Sequence, residues 1–169
     1  NPYPARLRRQ DSYNASNVLQ SYWLYTYSTG NALTKVENYN SANALVLTAR
    51  YTIDPAGHRT RIDNYDASGV LSSYSTFEYF DYYLPSRATN YSASGAITSR
   101  TENVFDAATR SKLSVDNYGS TNALSTRYVF TYDANNNRTA NTIYSSTNAV
   151  TARTVYEYAN GVLLKCTFY

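Results

Sequence analysis

Polar and apolar positions alternate along this chain in short runs, separated by polar bends. In the run from Leu124 to Tyr132, Leu124, Tyr128, Phe130 and Tyr132 share one parity and Ser125, Arg127, Val129 and Thr131 the other. From Val150 to Tyr158 one parity reads Val150, Ala152, Thr154, Tyr156 and Tyr158. Period-two alternation of Tyr, Phe, Thr and Val predicts strands, each of about nine residues and roughly 30 Å. The bends hold Asn-Gly, Ser-Gly, Ala-Gly, Thr-Asn or Ala-Asn pairs, and all six glycines fall in them. Such pairs supply the positive φ that tight turns need. No stretch predicts a helix of useful length.

The runs repeat. A phrase of one tyrosine, four small or polar residues and two aliphatic ones opens at Tyr13, Tyr39, Tyr65, Tyr91, Tyr118 and Tyr144. The steps are 26, 26, 26, 27 and 26 residues. A second phrase opens at Tyr27, Ile53, Phe80, Phe105, Tyr132 and Tyr158. The unit is therefore a half-repeat of about 13 residues, an aromatic followed by a bend and an extended run. Residues 1–12 fit one more half-unit, since the stretch from Pro4 to Tyr13 parallels that from Pro85 to Tyr91. We expect one repeat array over 1–169, about 6.5 repeats of 26 residues, with no separate caps or second domain. The chain does not open on Met or on an apolar leader, so it reads as a mature or excised segment.

A fixed period means that each unit buries its apolar face only against its neighbours. Two all-β arrangements fit. In an antiparallel hairpin meander of about 13 strands, an elongated sheet, equivalent positions lie two strands apart. In a parallel β-solenoid with 26-residue coils they lie one strand apart. Charge columns separate the two. Arg9, Lys35, Arg61 and Arg87 stand four residues before a phrase tyrosine, and Asp11, Glu37, Asp63 and Asp116 two before. Like charges directly opposite are destabilising, which favours the meander. The column Asn38, Asn64, Asn90 and Asn117 suits a solenoid ladder and keeps that alternative open.

Composition narrows function. Twenty tyrosines, no methionine and a mean hydropathy of −0.53 are thin material for a globular core. They suit a sheet whose amphipathic rings bury their faces and keep their hydroxyls wet. The net charge of +3 is modest and, apart from Arg6, Arg8 and Arg9, interspersed, so no nucleic-acid footprint is expected. No run of 18 apolar residues exists, so no helical membrane span is expected.

The stretches Tyr132 to Thr139, Ile53 to Thr60 and Tyr65 to Ser72 resemble the YD repeats of RHS-type bacterial surface proteins and toxins. They are similar, too, to the Tyr-rich tandem arrays of secreted bacterial proteins. The sequence departs from that pattern by alternating two half-units, and by carrying Asn14, Asn40, Ser92, Gly119 and Ser145 where the motif has Asp. The resemblance implies antiparallel hairpins, and secretion or display on a bacterial surface. RHS repeats wrap strands into a shell, but thirteen strands alone would not close one.

Candidate chemistry is sparse. His58, the sole histidine, lies in a bend and lacks partners at the spacing of a metal site or a triad. Cys166, the sole cysteine, alternates with Leu164 and Phe168 and reads as an apolar position or as a link to another subunit. The stretch from Asp133 to Asn137 imitates a calcium loop, but Arg138 replaces its glycine and Tyr144 its glutamate. The bend acids Asp54, Asp81, Asp106 and Asp133 recur with the repeat, as turn-forming residues do. Sequons at Asn14, Asn90 and Asn137 are expected by chance in so polar a chain. We therefore expect no enzyme, no cofactor and no metal.

The interaction candidates are two. One is the row Tyr13, Tyr39, Tyr65, Tyr91, Tyr118 and Tyr144, with a second row at Tyr25, Tyr51, Phe77, Phe130 and Tyr156 and a third at Tyr27, Tyr79, Phe105, Tyr132 and Tyr158. These rows serve as packing or as a stacking surface. The other is the last run, where Val162, Leu163, Leu164, Cys166 and Phe168 make a strand more apolar than the internal ones. An open edge of that kind is a template for another strand. The expected role is a structural protein that self-associates through strand edges into a fibre or surface layer. The alternatives are an adhesin-like stalk with glycan as partner, and a fragment of an RHS-type toxin shell.

Overall fold

The computed structural model describes residues 6–81 and 83–169. Pro4, on which the first half-unit is aligned, and Tyr82, inside the Phe80 phrase, lie outside the described residues. Thirteen strands follow one another: β1 Arg9–Tyr13, β2 Leu19–Tyr27, β3 Leu33–Asn40, β4 Leu45–Ile53, β5 Arg59–Asp66, β6 Leu71–Tyr79, β7 Pro85–Ser92, β8 Ile97–Phe105, β9 Lys112–Tyr118, β10 Leu124–Tyr132, β11 Arg138–Ser145, β12 Val150–Ala159 and β13 Val162–Phe168. Their order in the sheet is the order in the chain. The pairings are antiparallel, as in β2 with β3 and β10 with β11. The meander is therefore the fold, and the solenoid is not.

Contacts group the chain into two compact units. One is Asn1–Thr76 with Tyr91–Gly95, the other Phe77–Asn90 with Ala96–Tyr169. In the first, Tyr25, Val36, Ala49, Asn64 and Ser73 stand directly opposite one another from β2 to β6. In the second, Asn103, Val115, Tyr128, Ile143 and Ala152 form the same kind of row from β8 to β12. Such rows, on one side of the pleat, are what period-two alternation dictates.

Side chains find their burial sideways. Among the described residues the buried apolar side chains are Tyr22, Val36, Ala49 and Ala140, joined by Asn38, Thr48 and Thr89, and no large side chain is fully buried. Packing comes from cross-strand neighbours, each pair contributing about 0.2–1 kcal/mol.

The bends are built alike. Backbone N–H groups of Asn14, Asn40, Asp54, Asp66 and Asp133 donate to the carbonyl four residues on, and the residue three on donates back. That residue has positive φ: Asn17, Asn43, Gly57, Gly69 and Asn136. The ladder slips by one residue at the strand end, as between Ser12 and Tyr13 or Asn38 and Tyr39. This is a three-residue loop closed by a left-handed residue and a bulge. The opening side chain locks the bend: Asn14 Oδ1 accepts the N–H groups of Ser16 and Val18 at 3.0 and 2.9 Å, and Asp66 Oδ1 those of Ser68 and Val70 at 2.9 Å.

Three details correct the sequence reading. Gly30 and Gly119 are not the left-handed residues of their bends; Asn31 and Asn122 are. The second phrase should be counted from Tyr79, which ends β6, while Phe80 opens the loop where Asp54 and Asp133 stand elsewhere. The single 27-residue step comes from one extra loop residue: Asp106 donates to the Ser111 carbonyl, five residues on, and Arg110 takes the positive φ of 61°. The final bend is tighter, Asn160 and Gly161 both at positive φ between the paired Ala159 and Val162.

Asn148 has φ of 64° in the bend that the Ser145 and Ala149 backbones close. Asn148→Val should cost roughly 1–2 kcal/mol in urea unfolding, whereas Asn148→Gly should change stability by no more than a few tenths.

Candidate functional site

One side of the sheet is a surface of rings and charges. Arg9 lies over the Tyr22 ring at 4.0 Å, and Tyr22 stacks on Tyr39 at 4.9 Å and 8°. Two repeats later Arg61 lies over Tyr74 at 3.9 Å, and Tyr74 stacks on Tyr91 at 4.5 Å and 12°. The Tyr22 hydroxyl donates to Asn43 Oδ1 in the next bend on that side, and the Tyr74 hydroxyl stands beside Gly95 in the equivalent place. Elsewhere the ring partner is a cation: Arg50 over Tyr65 at 5.0 Å, Arg100 over Tyr118 at 4.1 Å. Tyr39, Tyr65, Tyr91 and Tyr118 of the tyrosine row therefore pack on the preceding even strand, through Tyr or Arg. Tyr13 begins the row and is 54% exposed; Tyr39, Tyr65, Tyr91, Tyr118 and Tyr144 are half-buried.

Carboxylates lock the cations in place. Arg9 meets Asp11 at 2.6 Å, Lys35 meets Glu37 at 3.0 Å, and Arg61 meets Asp63 at 2.6 Å, each within one strand. Across strands, Arg127 holds Asp116 with two bonds of 2.7 and 2.6 Å, and Arg87 bridges Glu78 and Glu102 at 2.9 and 3.0 Å. The meander does not separate every like pair. Lys35 stands opposite Arg50 and Glu102 opposite Asp116. Each is relieved by its own counter-ion or ring. The Tyr118 phenol is pushed up, first by burial and then by the Glu102 carboxylate.

The asparagine column does not form a ladder. Asn38 donates to the Tyr22 carbonyl at 3.2 Å, while Asn64 and Asn90 donate to Ser73 and Ser99 hydroxyls at 3.1 and 2.9 Å. These amides tie adjacent strands.

Two grooves occupy equivalent places in the repeat. One of about 430 Å³ is lined by Ser28, Thr34, Tyr51, Asp54 and Pro55, among others. The other, about 420 Å³, is lined by Asp106, Leu113, Phe130, Asp133 and Ala134, among others. Each has an aromatic wall from the second row, and Arg59 and Arg138 lie over those rings at 4.5 Å. Sequence reasoning placed Tyr51 and Phe130 in one row, but it missed the grooves, which lie between two successive bends on one rim; at the second, the Ser111 hydroxyl donates to Asn136 Oδ1 from bend to bend.

His58 Nδ1 lies 2.8 Å from Asp54 Oδ2 within its bend, and hydrogen bonding to His58 holds the Asp54 carboxyl below its usual range. Asp133 is likewise held low, first by the Asn137 side chain, in a bend that satisfies its own carboxylate. Among the described residues no three His, Cys, Asp or Glu side chains cluster as a metal site would need, and no helix is long and apolar enough to cross a membrane. Cys166 is a free, exposed thiol on β13. On that strand Val162, Leu163, Leu164 and Phe168 are 63, 50, 67 and 77% exposed.

No family model matches the chain, and no curated protein does. Solved structures do. The Tc holotoxin pore of Photorhabdus luminescens aligns at a TM-score of 0.52 and 12% identity, covering 92% of this chain and 10% of that one. The TcdB2-TccC3 structure aligns at 0.53 and 12%, with the same coverage. TcdB2-TccC3 without its hypervariable C-terminal region gives 0.51 and 13%. The likeness is one of fold, and this chain spans about a tenth of those chains.

Asp116 offers a pH test. Its carboxyl is lowered, chiefly by the hydrogen bonds from Arg127. A carboxyl lowered in the folded state stabilises above the unfolded value, near 3.9, and that stability is lost as pH falls through the lower folded value. Asp54, Asp66, Asp81, Asp106 and Asp133 are shifted in the same sense. Thermal unfolding should therefore show a drop in Tm below about pH 4, and Asp116→Asn should lower Tm at pH 7 while making the acid drop shallower.

Proposed function

We propose that this chain is a non-enzymatic structural repeat sheet of a bacterium, secreted or displayed on the cell surface, which is extended through strand edges into a fibre or surface layer. The carrying observation is that side chains are covered by their neighbours on the next strand, as in Tyr22 on Tyr39 and Arg61 on Tyr74, while no large side chain is fully buried among the described residues. A sheet held together in this way is lengthened by a further strand on the same terms. The ring and ion-pair contacts support the same reading, because they let a sheet stand without a buried core, as a wall or fibre requires.

Two further readings each have a specific support. The paired grooves, with aromatic walls at Tyr51 and Phe130, favour a stalk that binds glycans, since sugars stack on aromatic faces and bond to hydroxyl and amide groups. The fold likeness to the Tc toxin structures over 92% of the chain favours a wall segment of an RHS-type shell.

Dynamic light scattering and negative-stain electron microscopy over a concentration series should show particles that grow with concentration into filaments or sheets. A monodisperse monomer at every concentration contradicts the proposal. If that monomer binds a glycan array and loses binding on Phe130→Ala or Tyr51→Ala, the stalk reading takes its place.

A further inference from the structure

We infer that the groove beside Phe130 is a docking site for an arginine side chain of a partner protein, stacked on the Phe130 ring and bonded to the Asp106 carboxylate. The inference goes beyond edge extension and does not depend on it. The groove lies within one compact unit, between the bend of residues 106–111 and that of residues 133–137. Its volume of about 420 Å³ has room for such a side chain.

The chain itself shows how it holds arginine. Arg61 lies over the Tyr74 ring at 3.9 Å and meets Asp63 at 2.6 Å, and Arg9 lies over Tyr22 at 4.0 Å and meets Asp11 at 2.6 Å. The guanidinium plane stacks on the ring while its N–H groups reach the carboxylate. The groove brings together the same two parts, Phe130 and Asp106, and among the described residues lining it none is basic. Arg138, from β11, already lies over Phe130 at 4.5 Å. The groove opens on the other side of β10, toward Leu113 of β9, so a second guanidinium takes the other face of the ring.

Charge then selects the ligand. Asp106 Oδ1 accepts the N–H groups of Ala108 and Thr109 at 3.0 and 2.7 Å and the Thr109 hydroxyl at 2.9 Å. These bonds use Oδ1 alone and leave Oδ2 for a ligand. Asp133 is bonded at both oxygens, by Asn135 and Asn137, and contributes charge to the same groove. Of the nearby cations, Arg110 pairs with Asp81 and Lys112 lies over the Phe105 ring at 5.6 Å. Two carboxylates beside Arg138 leave the site negative. The equivalent groove at Tyr51 differs. Ser28 stands there in the place of Asp106, and His58 engages both oxygens of Asp54. Arg59, over Tyr51, balances that one carboxylate, so the Tyr51 groove has no such preference for a cation.

Saturation-transfer NMR tests the site, because it reads a weak ligand on a monomer and on an assembly alike. The probe is an end-blocked Gly-Arg-Gly peptide, with citrulline in place of arginine as the neutral control. Saturation should fall on the arginine side chain and not on citrulline. Asp106→Asn and Phe130→Ala should each weaken binding by roughly 3- to 10-fold, while Asp54→Asn leaves it unchanged. Asn opens the bends at Asn14 and Asn40, so Asp106→Asn should keep the fold, which circular dichroism checks. Equal binding of the citrulline peptide, or binding indifferent to Asp106→Asn, overturns the inference. So does an absence of saturation, and so does saturation of methyl glucoside in place of the peptide, which returns the groove to the glycan reading. A monodisperse monomer that binds the arginine peptide keeps this site and removes edge extension.

Discussion

A side chain on this sheet is covered mainly by side chains of the next strand, directly opposite as Tyr39 is to Tyr22 or on the diagonal as Arg9 is to Tyr22. That constraint governs the rest. With a strand spacing of about 4.8 Å, the next strand is the nearest source of cover, and residues must be wide and flat enough to supply it. Tyrosine and arginine meet that need better than leucine does. The tyrosine ring covers area with few torsions to freeze, and its hydroxyl can stay in water. The guanidinium plane lies on a ring face while its N–H groups reach a carboxylate. The stacks Arg9–Tyr22–Tyr39 and Arg61–Tyr74–Tyr91 combine both.

The same constraint explains the composition. A chain with twenty tyrosines and no methionine is poorly supplied for an interior but well supplied for cross-strand contact. It also explains why charges recur in columns without destabilising the sheet. Lys35 faces Arg50, yet Lys35 has Glu37 beside it and Arg50 lies on Tyr65. Each of these two cations has its own counter-ion or ring within reach, so the repeat can carry like charges across neighbouring strands.

Much of the fold was legible because its signals are local. The spacing of Tyr13 to Tyr144 marks the odd strand ends, and an Asn or Gly three residues into the common loop, as at Asn17, Asn43 and Gly69, marks the left-handed residue. The charge columns pointed to the meander, although the structure still sets Lys35 against Arg50 and Glu102 against Asp116. What could not be read was frame and depth. Tyr79 and Phe80 are adjacent aromatics, and only the loop hydrogen bonds show that Tyr79 ends the strand. The extra residue in the 106–111 bend was visible as a 27-residue step but could not be assigned to a bend. The grooves beside Tyr51 and Phe130 are each lined by two bends some 26 residues apart in the chain, which no single run of sequence encodes.

The central claim is that opposing side chains, and not a common core, hold the strands together. A double-mutant cycle on Tyr22 and Tyr39 tests it most directly, with urea unfolding of Tyr22→Ala, Tyr39→Ala and the pair. The account predicts a coupling of about 0.5–1.5 kcal/mol between the two rings. Additive losses, with coupling near zero, would show that each ring is stabilised by something other than its neighbour and would contradict it.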